Sequence, residues 1–221
     1  MTSRDEPAQG SPGNLAGFPA SGCEGSLYRS TLDRYSSFGF YSSVGGRFDL
    51  STPRGTLYLA RSAHTAVMER VAAPIAQGAT GGPKRNRSLL REGKVGWEQA
   101  RHILIWEIES REPVRLADLT TRRAADFGVT NELTSTSHYE LARQWASAFE
   151  RAGFGGILYN SRFVTSKADV DSAVGIFGDA GAHDGPFVSV RPARTLVEAA
   201  SDVGIGIRHT HAHPTALVED F

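Results

Sequence analysis

Three side chains between residues 45 and 70 have the types and the spacing that a reactive site requires. Arg47 follows a pair of glycines, Tyr58 lies in a short apolar run, and Glu69 lies in a segment with helical spacing. A guanidinium offers paired donors to phosphate oxygens, a carboxylate can stabilise a developing positive charge, and an aromatic ring can hold a flat group. Together they could bind an anion beside a cationic centre. Taken singly, each could be an ordinary surface or packing residue.

The elements that must position these groups can be predicted from local pattern. Residues 56–60 alternate, with leucines on one side and Tyr58 on the other, which predicts a short strand. Ser62 is suited to be the N-cap of the next helix, and Pro74 ends it. Glu69 therefore lies in the helix, and its neighbours one turn away are Thr65, Ala66, Ala72 and Ala73. A carboxylate on such a small-residue surface suits a cleft, although a helix-surface salt bridge remains the alternative.

Length and charge limit the class of protein. The chain has 221 residues, enough for one domain with a sizeable core, and its 24 acidic and 24 basic residues balance. This balance argues against a general attraction to nucleic acid or membrane. The N-terminus lacks the regions of a signal peptide and no apolar run could cross a bilayer, so we expect a cytoplasmic protein. The single Cys23 excludes an intramolecular disulfide and a thiolate metal cluster.

Composition divides the chain into segments. Residues 1–25 are rich in Gly, Pro, Ala and Ser, which predicts a flexible N-terminal arm. Residues 26–190 are expected to form the domain, and residues 191–221 a C-terminal tail. Within the domain, residues 77–100 lose apolar periodicity and are basic, which predicts a surface insertion. The insertion could be solvated surface or a docking site for a partner or phosphate.

Short strands and few helices define the expected fold. Apolar runs predict strands near residues 102–108, 113–116, 157–159, 173–177 and 186–190. The strongest helix signal covers residues 137–153, with Ser137 and Glu140 as a capping box and Gly153 at the C-terminus. Its expected apolar stripe is Leu141, Trp145, Ala148, Phe149 and Ala152. These features predict an α+β fold with a mixed, largely antiparallel sheet and few helices.

Several short blocks of sequence carry a family resemblance. In order, they are Leu27-Tyr28-Arg29, Gly46-Arg47-Phe48-Asp49, residues 55–60, Thr65-Ala66 with Glu69, residues 142–156 with Trp145, and Tyr159 with Ser161-Arg162. In this order and spacing they resemble the RES domain, a family named after an Arg, a Glu and a Ser. The resemblance runs from about residue 26 to about residue 177.

The resemblance implies a fold similar to ADP-ribosyltransferases and a bacterial toxin that destroys NAD by hydrolysis or phosphorolysis. NAD would then be the substrate, inorganic phosphate a second substrate of a phosphorylase, and an antitoxin protein the partner. It implies no further cofactor and no metal, and a homodimer is compatible with it. Neither membrane binding nor direct nucleic-acid binding is expected.

The chemistry of NAD cleavage gives the candidate residues roles. The nicotinamide–ribose bond breaks through an oxocarbenium-like state, and the pyridine departs neutral, so no strong general acid is required. We expect Glu69 to stabilise the positive charge or orient the acceptor, and Arg29 and Arg47 to bind the diphosphate. Tyr58 is the first candidate ring for nicotinamide or its ribose and Tyr28 the second, with packing as the alternative for both.

Ser161 follows a predicted strand and could donate to a ribose hydroxyl or a phosphate. It could also be only a turn residue, because nothing in the sequence pairs it with a base. Arg162 and Asn160 are secondary candidates next to it. The resemblance makes Glu69, Arg47 and Ser161 the expected catalytic set.

The sequence leaves the acceptor open. Water would make the protein an NAD glycohydrolase and phosphate would make it an NAD phosphorylase. A protein side chain would make it a mono-ADP-ribosyltransferase, which needs an open face beside Glu69. A different class is a non-catalytic interaction module, in which the basic insertion binds the partner.

Two other patterns resemble known kinds of site. His209, His211 and His213 alternate and could share one face of an extended segment, as a metal site requires, but no carboxylate or cysteine completes the set. We therefore expect a solvated tail there. The glycine pairs do not fit the dinucleotide-binding pattern between a strand and a helix, which argues against a Rossmann fold.

Overall fold

A computed structural model of the protein describes residues 10–35, 37–43, 45–72, 88–136, 139–164 and 172–209. The strands in chain order are β1 (Ala20–Gly22), β2 (Leu27–Leu32), β3 (Arg54–Ala60), β4 (Lys94–Gly96), β5 (Ile103–Ser110), β6 (Arg115–Asp118), β7 (Gly156–Asn160), β8 (Ser172–Asp179), β9 (Phe187–Ser189), β10 (Arg194–Thr195) and β11 (Gly206–Arg208). The helices are α1 (Ala63–Val71), α2 (Trp97–Ala100), α3 (Asn131–Ser135), α4 (Tyr139–Arg151) and α5 (Leu196–Ala199), and Arg122–Phe127 forms a 3₁₀ helix.

The main sheet has the strand order β1-β6-β7-β8-β3-β2-β5-β10, and β9 pairs with the other end of β5. Only β6 and β7 pair in parallel within it, among the residues described. A second, two-stranded sheet joins β11 to β4 in parallel. The expected α+β fold with a mixed, largely antiparallel sheet and few helices is confirmed.

The strand β3 and the helix α1 form as local pattern predicts. Leu57 and Leu59 are buried in the core, whereas Tyr58 is only partly buried. The Ser62 side chain accepts a hydrogen bond from the Thr65 amide, which is the expected N-cap. The helix ends at Val71, before the proline that was expected to stop it. Glu69 therefore has a fixed place on the last turn of α1.

Two neighbouring strands of the main sheet, β2 and β3, separate after a single residue pair, and we call the gap between them the open seam. β2 pairs with β5 over six residues, but it pairs with β3 only at Tyr28 and Ala60. Continued pairing would place Arg29 beside Leu59, yet the two strands have already separated there. The separation leaves a gap inside an otherwise hydrogen-bonded sheet. A ligand can enter a sheet at such a gap because the backbone there is not covered by a neighbouring strand.

The helix α4 packs on the sheet through the large core cluster. Trp145 and Phe149 are almost fully buried there, and Gly153 has the positive φ of 82° that ends a helix. The apolar stripe of α4 is thus confirmed at these positions, but Ala152 is exposed because it lies past the last helical residue. The predicted N-cap Ser137 lies outside the described residues.

The prediction of a flexible arm is wrong for residues 10–25. Ala20–Gly22 forms the edge strand β1, which pairs with β6. Phe18 is 3% exposed and contacts Phe149 edge-on, with ring centroids 4.8 Å apart. The indole nitrogen of Trp145 donates to the Gly10 carbonyl at 2.9 Å. A single aromatic anchor and one edge strand order a segment whose average composition resembles a linker. Residues 1–9 are outside the description.

The predicted insertion and tail also differ from the structure. Residues 88–100 carry β4 and α2, and residues 194–208 carry β10, α5 and β11. The two segments build one cluster, in which Val95, Leu196 and Ile205 pack with Val67 and Val71 of α1. Both segments are therefore part of the domain, and they pack against the side of α1 that carries Val67 and Val71. Residues 73–87 and 210–221, which hold the rest of both segments, lie outside the described residues.

No helix in the described part of the chain is both long and apolar enough to span a bilayer. Among the described residues no cluster of three His, Cys, Asp or Glu side chains is placed to hold a metal ion. His211 and His213 fall outside the description, so the expectation for that histidine pattern stays a prediction.

Candidate active site

A cavity of about 410 Å³ lies where β2 and β3 separate, beside α1. β2 contributes Tyr28, Arg29 and Ser30, and β3 contributes Tyr58, Leu59 and Ala60. The helix α1 contributes Ala66, Glu69 and Arg70, and the turn before β3 contributes Gly45, Gly46 and Arg47. The remaining wall is Thr134, Tyr139, Tyr159, Arg162 and Phe163. The open seam of the sheet thus coincides with the site that the sequence predicts.

Glu69 is the acidic group in the wall of this cavity. Its Oε1 accepts a hydrogen bond from the Ser161 hydroxyl at 2.7 Å. Burial raises the pKa of the Glu69 carboxyl above its ordinary value, and this effect outweighs the lowering by the Ser161 hydrogen bond and by the charges of Arg162 and Arg47. The carboxylate is therefore partly desolvated and oriented. Such a group stabilises a nearby positive charge more strongly than an exposed carboxylate does.

Two arginines present unpaired donors at the site. Arg47 is 9% exposed, and its Nη1 is buried with no hydrogen-bond partner among the described residues. Arg29 donates from Nη2 to the Phe40 carbonyl at 3.3 Å, while its Nη1 is likewise buried and unpaired. Burial and the nearby charge of Arg70 lower the pKa of Arg29 to about 10. Buried unpaired guanidinium nitrogens are costly, so an anion that paired with them would be bound strongly.

Arg70 has a different use from its neighbours in the cavity wall. Its Nε and Nη2 both donate to the Ser30 carbonyl, at 3.0 and 2.7 Å. Ser30 lies on β2 beyond the last pair with β3, where a sheet neighbour is missing. The side chain thus satisfies a backbone acceptor that the open seam would leave without a strand partner.

Aromatic rings cover the other part of the cavity. Tyr139 stacks against the Arg47 guanidinium, whose central carbon lies 5.3 Å from the ring centroid. Tyr159, Tyr58 and Phe163 also line the wall. The hydroxyl of Tyr58 is already engaged, since it accepts from the Phe48 amide at 2.8 Å. Its ring can contact a ligand, whereas its hydroxyl holds the turn that carries Arg47.

The structure brings the sequence-predicted residues together. Glu69, Arg47, Arg29, Tyr28 and Tyr58 all line the one cavity, and Ser161 reaches it through its hydrogen bond to Glu69. Asn160, a secondary candidate, is exposed at the end of β7. Whether each residue has the catalytic or binding role expected of it stays a prediction.

Sequence reasoning missed part of the wall. Tyr139 lies on the first turn of α4, whose sequence pattern predicts only scaffold, and Arg70 follows Glu69 directly but is not among the predicted site residues. Arg162 is only a secondary candidate from the sequence, yet it lines the cavity and its charge lowers the pKa of Glu69. Its position directly after Glu69, a predicted site residue, is the sequence signal that could have identified Arg70. No local signal marks Tyr139, because its contact with Arg47 joins distant parts of the chain.

The arrangement combines complementary functions. Four arginines and one glutamate line the cavity, which gives it a positive formal charge suited to an anionic ligand. The carboxylate lies among arginines and aromatic rings, so it could act on a cationic centre of the same ligand whose anionic part the guanidiniums bind. A flat aromatic cation carrying a phosphate group meets both requirements.

Comparisons with known proteins agree with the fold. The family model described as the RES domain matches residues 21–194. Among solved structures, one similar chain comes from the crystal structure of the M. tuberculosis MbcT-MbcA toxin-antitoxin complex, with a TM-score of 0.56, 18% identity, and coverage of 80% of this chain and 86% of that chain. At this identity the similarity establishes the fold. No curated protein matches the sequence significantly. The family match covers most of the chain, including the open seam, α1 and the strand β7 that precedes Ser161, and the protein therefore belongs to the RES domain family.

Proposed function

We propose that the protein cleaves NAD at the bond between nicotinamide and ribose. The observation that carries the proposal is that one cavity contains both a partly desolvated Glu69 and the buried nitrogens of Arg29 and Arg47 that have no hydrogen-bond partner among the described residues. NAD combines a diphosphate with a positively charged pyridinium, so each group would find a complementary partner. Membership of the RES domain family supports the same substrate.

The reaction would proceed by departure of the pyridine. The glycosidic C–N bond breaks, its electron pair goes to the ring nitrogen, and neutral nicotinamide leaves. Glu69 would stabilise the positive charge that grows on the ribose, and its hydrogen bond from Ser161 would hold the carboxylate in place. Arg29 and Arg47 would hold the diphosphate so that the ribose stays beside Glu69. The acceptor, water or inorganic phosphate, then bonds to the ribose carbon and loses a proton.

Arg162 supports a role for phosphate as the acceptor. Its positive charge acts on Glu69, and it lines the cavity with its guanidinium over the Phe163 ring, 4.7 Å from the ring centroid. A second anion beside the ribose would need such a cation once Arg29 and Arg47 are occupied by the diphosphate. We therefore propose phosphorolysis as the preferred reaction and hydrolysis as the alternative.

The biological role that we propose is the toxin of a toxin–antitoxin pair. One structural neighbour comes from a toxin-antitoxin complex, and this chain shares its fold. A protein that depletes NAD arrests growth unless it is restrained, so a cognate inhibitor protein is the expected partner. Such a pair would act in the cytoplasm, where NAD is available.

Product analysis tests the chemistry. Purified protein is incubated with NAD in buffers with and without inorganic phosphate, and the products are separated and identified by mass spectrometry. Nicotinamide with ADP-ribose phosphate would support phosphorolysis, and nicotinamide with free ADP-ribose would support hydrolysis. Protein with covalently attached ADP-ribose, detected by its increase in mass, would favour mono-ADP-ribosyl transfer. Intact NAD under all conditions would refute the proposal and favour a non-catalytic interaction module.

Induced expression in bacterial cells tests the role. The wild-type chain should stop growth and lower the cellular NAD pool, and the Glu69→Gln variant should do neither at equal protein level. Normal growth with abundant active wild-type protein would refute the toxin assignment.

A further inference from the structure

The turn that carries Arg47 is built around one buried carboxylate, that of Asp49, which is 1% exposed. Its Oδ2 accepts hydrogen bonds from the Ser42 hydroxyl at 2.7 Å, the Gly45 amide at 2.8 Å and the Gly46 amide at 2.6 Å. Its Oδ1 accepts from the Tyr58 hydroxyl at 2.8 Å. Four donors therefore converge on one side chain, two residues after Arg47.

The strand β3 holds the same turn from the other side. Thr56 donates from its hydroxyl to the Phe48 carbonyl at 2.8 Å, and Tyr58 accepts from the Phe48 amide at 2.8 Å. Gly46 has no room for a side chain, since an added Cβ would lie 2.3 Å from both the Asp49 Oδ1 and the Tyr58 hydroxyl. Polar contacts thus fix the backbone on both sides of Arg47, and the space at Gly46 is too small for a side chain.

The contacts of Asp49 are made with neutral donors. Arg47 is close in sequence and carries the opposite charge, yet no ion pair within 4.0 Å joins Asp49 to any basic side chain of the described residues. Within the same residues Arg47 forms no such pair with Glu69 either, although its charge lowers the pKa of Glu69. Because backbone and hydroxyl donors satisfy Asp49, the Arg47 charge is left for a ligand.

We propose that Asp49 is a positioning residue for substrate binding, which rests on the proposed function. It fixes the turn so that the Arg47 guanidinium stays in the cavity and apart from Glu69. Without this support the turn would relax, and the guanidinium would turn out of the cavity towards solvent. This change removes the cation from the diphosphate.

The Asp49→Asn variant tests this role. An asparagine has the same shape, but its NH₂ group must face donors that already converge there, so the turn loses at least one hydrogen bond. We expect NAD to bind about tenfold more weakly or worse, as for a buried polar group left unsatisfied. The matched control is Asp126→Asn, which changes an exposed aspartate on the 3₁₀ helix and should bind NAD as the wild type does.

A double-mutant cycle separates positioning from general destabilisation. If Asp49 acts through Arg47, then Asp49→Asn will weaken NAD binding in the wild-type background and will add nothing to the Arg47→Ala variant. Additive losses would overturn the proposal, because they would mean that the aspartate acts by another route. Unchanged NAD affinity of Asp49→Asn would overturn it as well.

A second readout does not depend on NAD. Phenylglyoxal modifies accessible arginines, and the sites are located by peptide mass. Arg47 should react faster in Asp49→Asn than in the wild type, whereas Arg194, which pairs with Asp202 on the surface, should react equally in both. Equal reactivity of Arg47 in the two proteins would refute the positioning role.

The two readouts also distinguish this proposal from the proposed function. If the wild type fails to bind NAD, the proposed function fails, and the arginine reactivity still decides whether Asp49 positions Arg47. If Asp49→Asn does not fold, as judged by circular dichroism, Tyr58→Phe takes its place in both experiments. That variant keeps the ring in the cavity and removes only the hydroxyl that links Asp49 to the Phe48 amide.

Discussion

Replacing Glu69 by glutamine keeps the volume of the side chain and removes its charge. The amide can still accept the hydrogen bond that Ser161 donates at 2.7 Å, so the side chain should keep its place in the cavity. What disappears is the negative charge beside the ribose at the moment when the ribose becomes positive. The variant therefore isolates the electrostatic contribution of one group.

The size of the effect follows from the surroundings of the carboxylate. Two unit charges about 4 Å apart interact by about 4 kcal/mol at an effective dielectric constant of about 20. The partial burial that raises the pKa of Glu69 justifies this value in place of that of bulk water. At about 1.4 kcal/mol for each factor of ten, turnover should fall by about three orders of magnitude. Incomplete charge development and solvent screening widen this to about two to four orders.

The assay is the rate of nicotinamide release at saturating NAD. Glu112→Gln is the matched control, since Glu112 is exposed near the end of β5 and should keep the wild-type rate. Thermal unfolding at neutral pH checks the fold. Because the folded-state pKa of Glu69 is raised, its ionised form opposes folding above its unfolded pKa, so Glu69→Gln should unfold at the same or a higher temperature.

Two results would refute the reasoning. A Glu69→Gln protein with the wild-type rate would show that the carboxylate does not act on the reacting centre. An equal loss of rate in the Glu112→Gln control would show that the assay responds to general damage. A strong loss of thermal stability in Glu69→Gln alone would mean that the side chain is structural.

Three further predictions concern the neighbours of Glu69 and the cluster that supports α1. Ser161→Ala removes a hydrogen bond that lowers the pKa of Glu69, so the acidic limb of the kcat profile, where activity is lost as the carboxylate takes up a proton, should move to higher pH; an unmoved limb would contradict the contact. Arg47→Ala should raise KM for NAD about ten- to a hundredfold with a smaller change in kcat, and an unchanged KM would place this guanidinium outside the binding site. Leu196→Ala should lower the free energy of unfolding in urea by about 2–5 kcal/mol, since Leu196 is fully buried in the cluster that contains Val67 and Val71 of α1. Val190→Ala is the control, because Val190 is 47% exposed and its replacement should change the free energy little. Equal effects of the two changes would contradict the support of α1 by this cluster.

Local pattern was sufficient for the part of the fold that positions the reactive groups. The alternation around Tyr58, the Ser62 N-cap and the following proline fixed β3 and α1, because each signal acts within a few residues. The family resemblance supplied the expectation that Arg47, Glu69 and Ser161 come together. Physical pattern alone could not, since Ser161 and Glu69 are separated by 92 residues and meet only through the sheet.

The parts that sequence reasoning missed depend on contacts between distant segments. β4 and β11 are both three residues long, and they pair with each other across the chain. Neither has enough alternation to be recognised alone. Phe18 shows the same limit, because its packing against Phe149 orders a segment rich in small residues. Average composition reports whether a segment can build a core alone, and it is silent on whether it can dock onto one.

The open seam between β2 and β3 links the site to the fold. A gap in a sheet leaves backbone groups without partners, which normally costs stability. Here α1 crosses the gap and places two consecutive side chains there: Arg70 donates twice to the Ser30 carbonyl, and Glu69 receives the Ser161 hydroxyl. One helix turn thus stabilises the opening and supplies its reactive carboxylate. The outer side of the same helix rests on the cluster built by β4, α5 and β11, so segments remote from the cavity determine where that carboxylate lies.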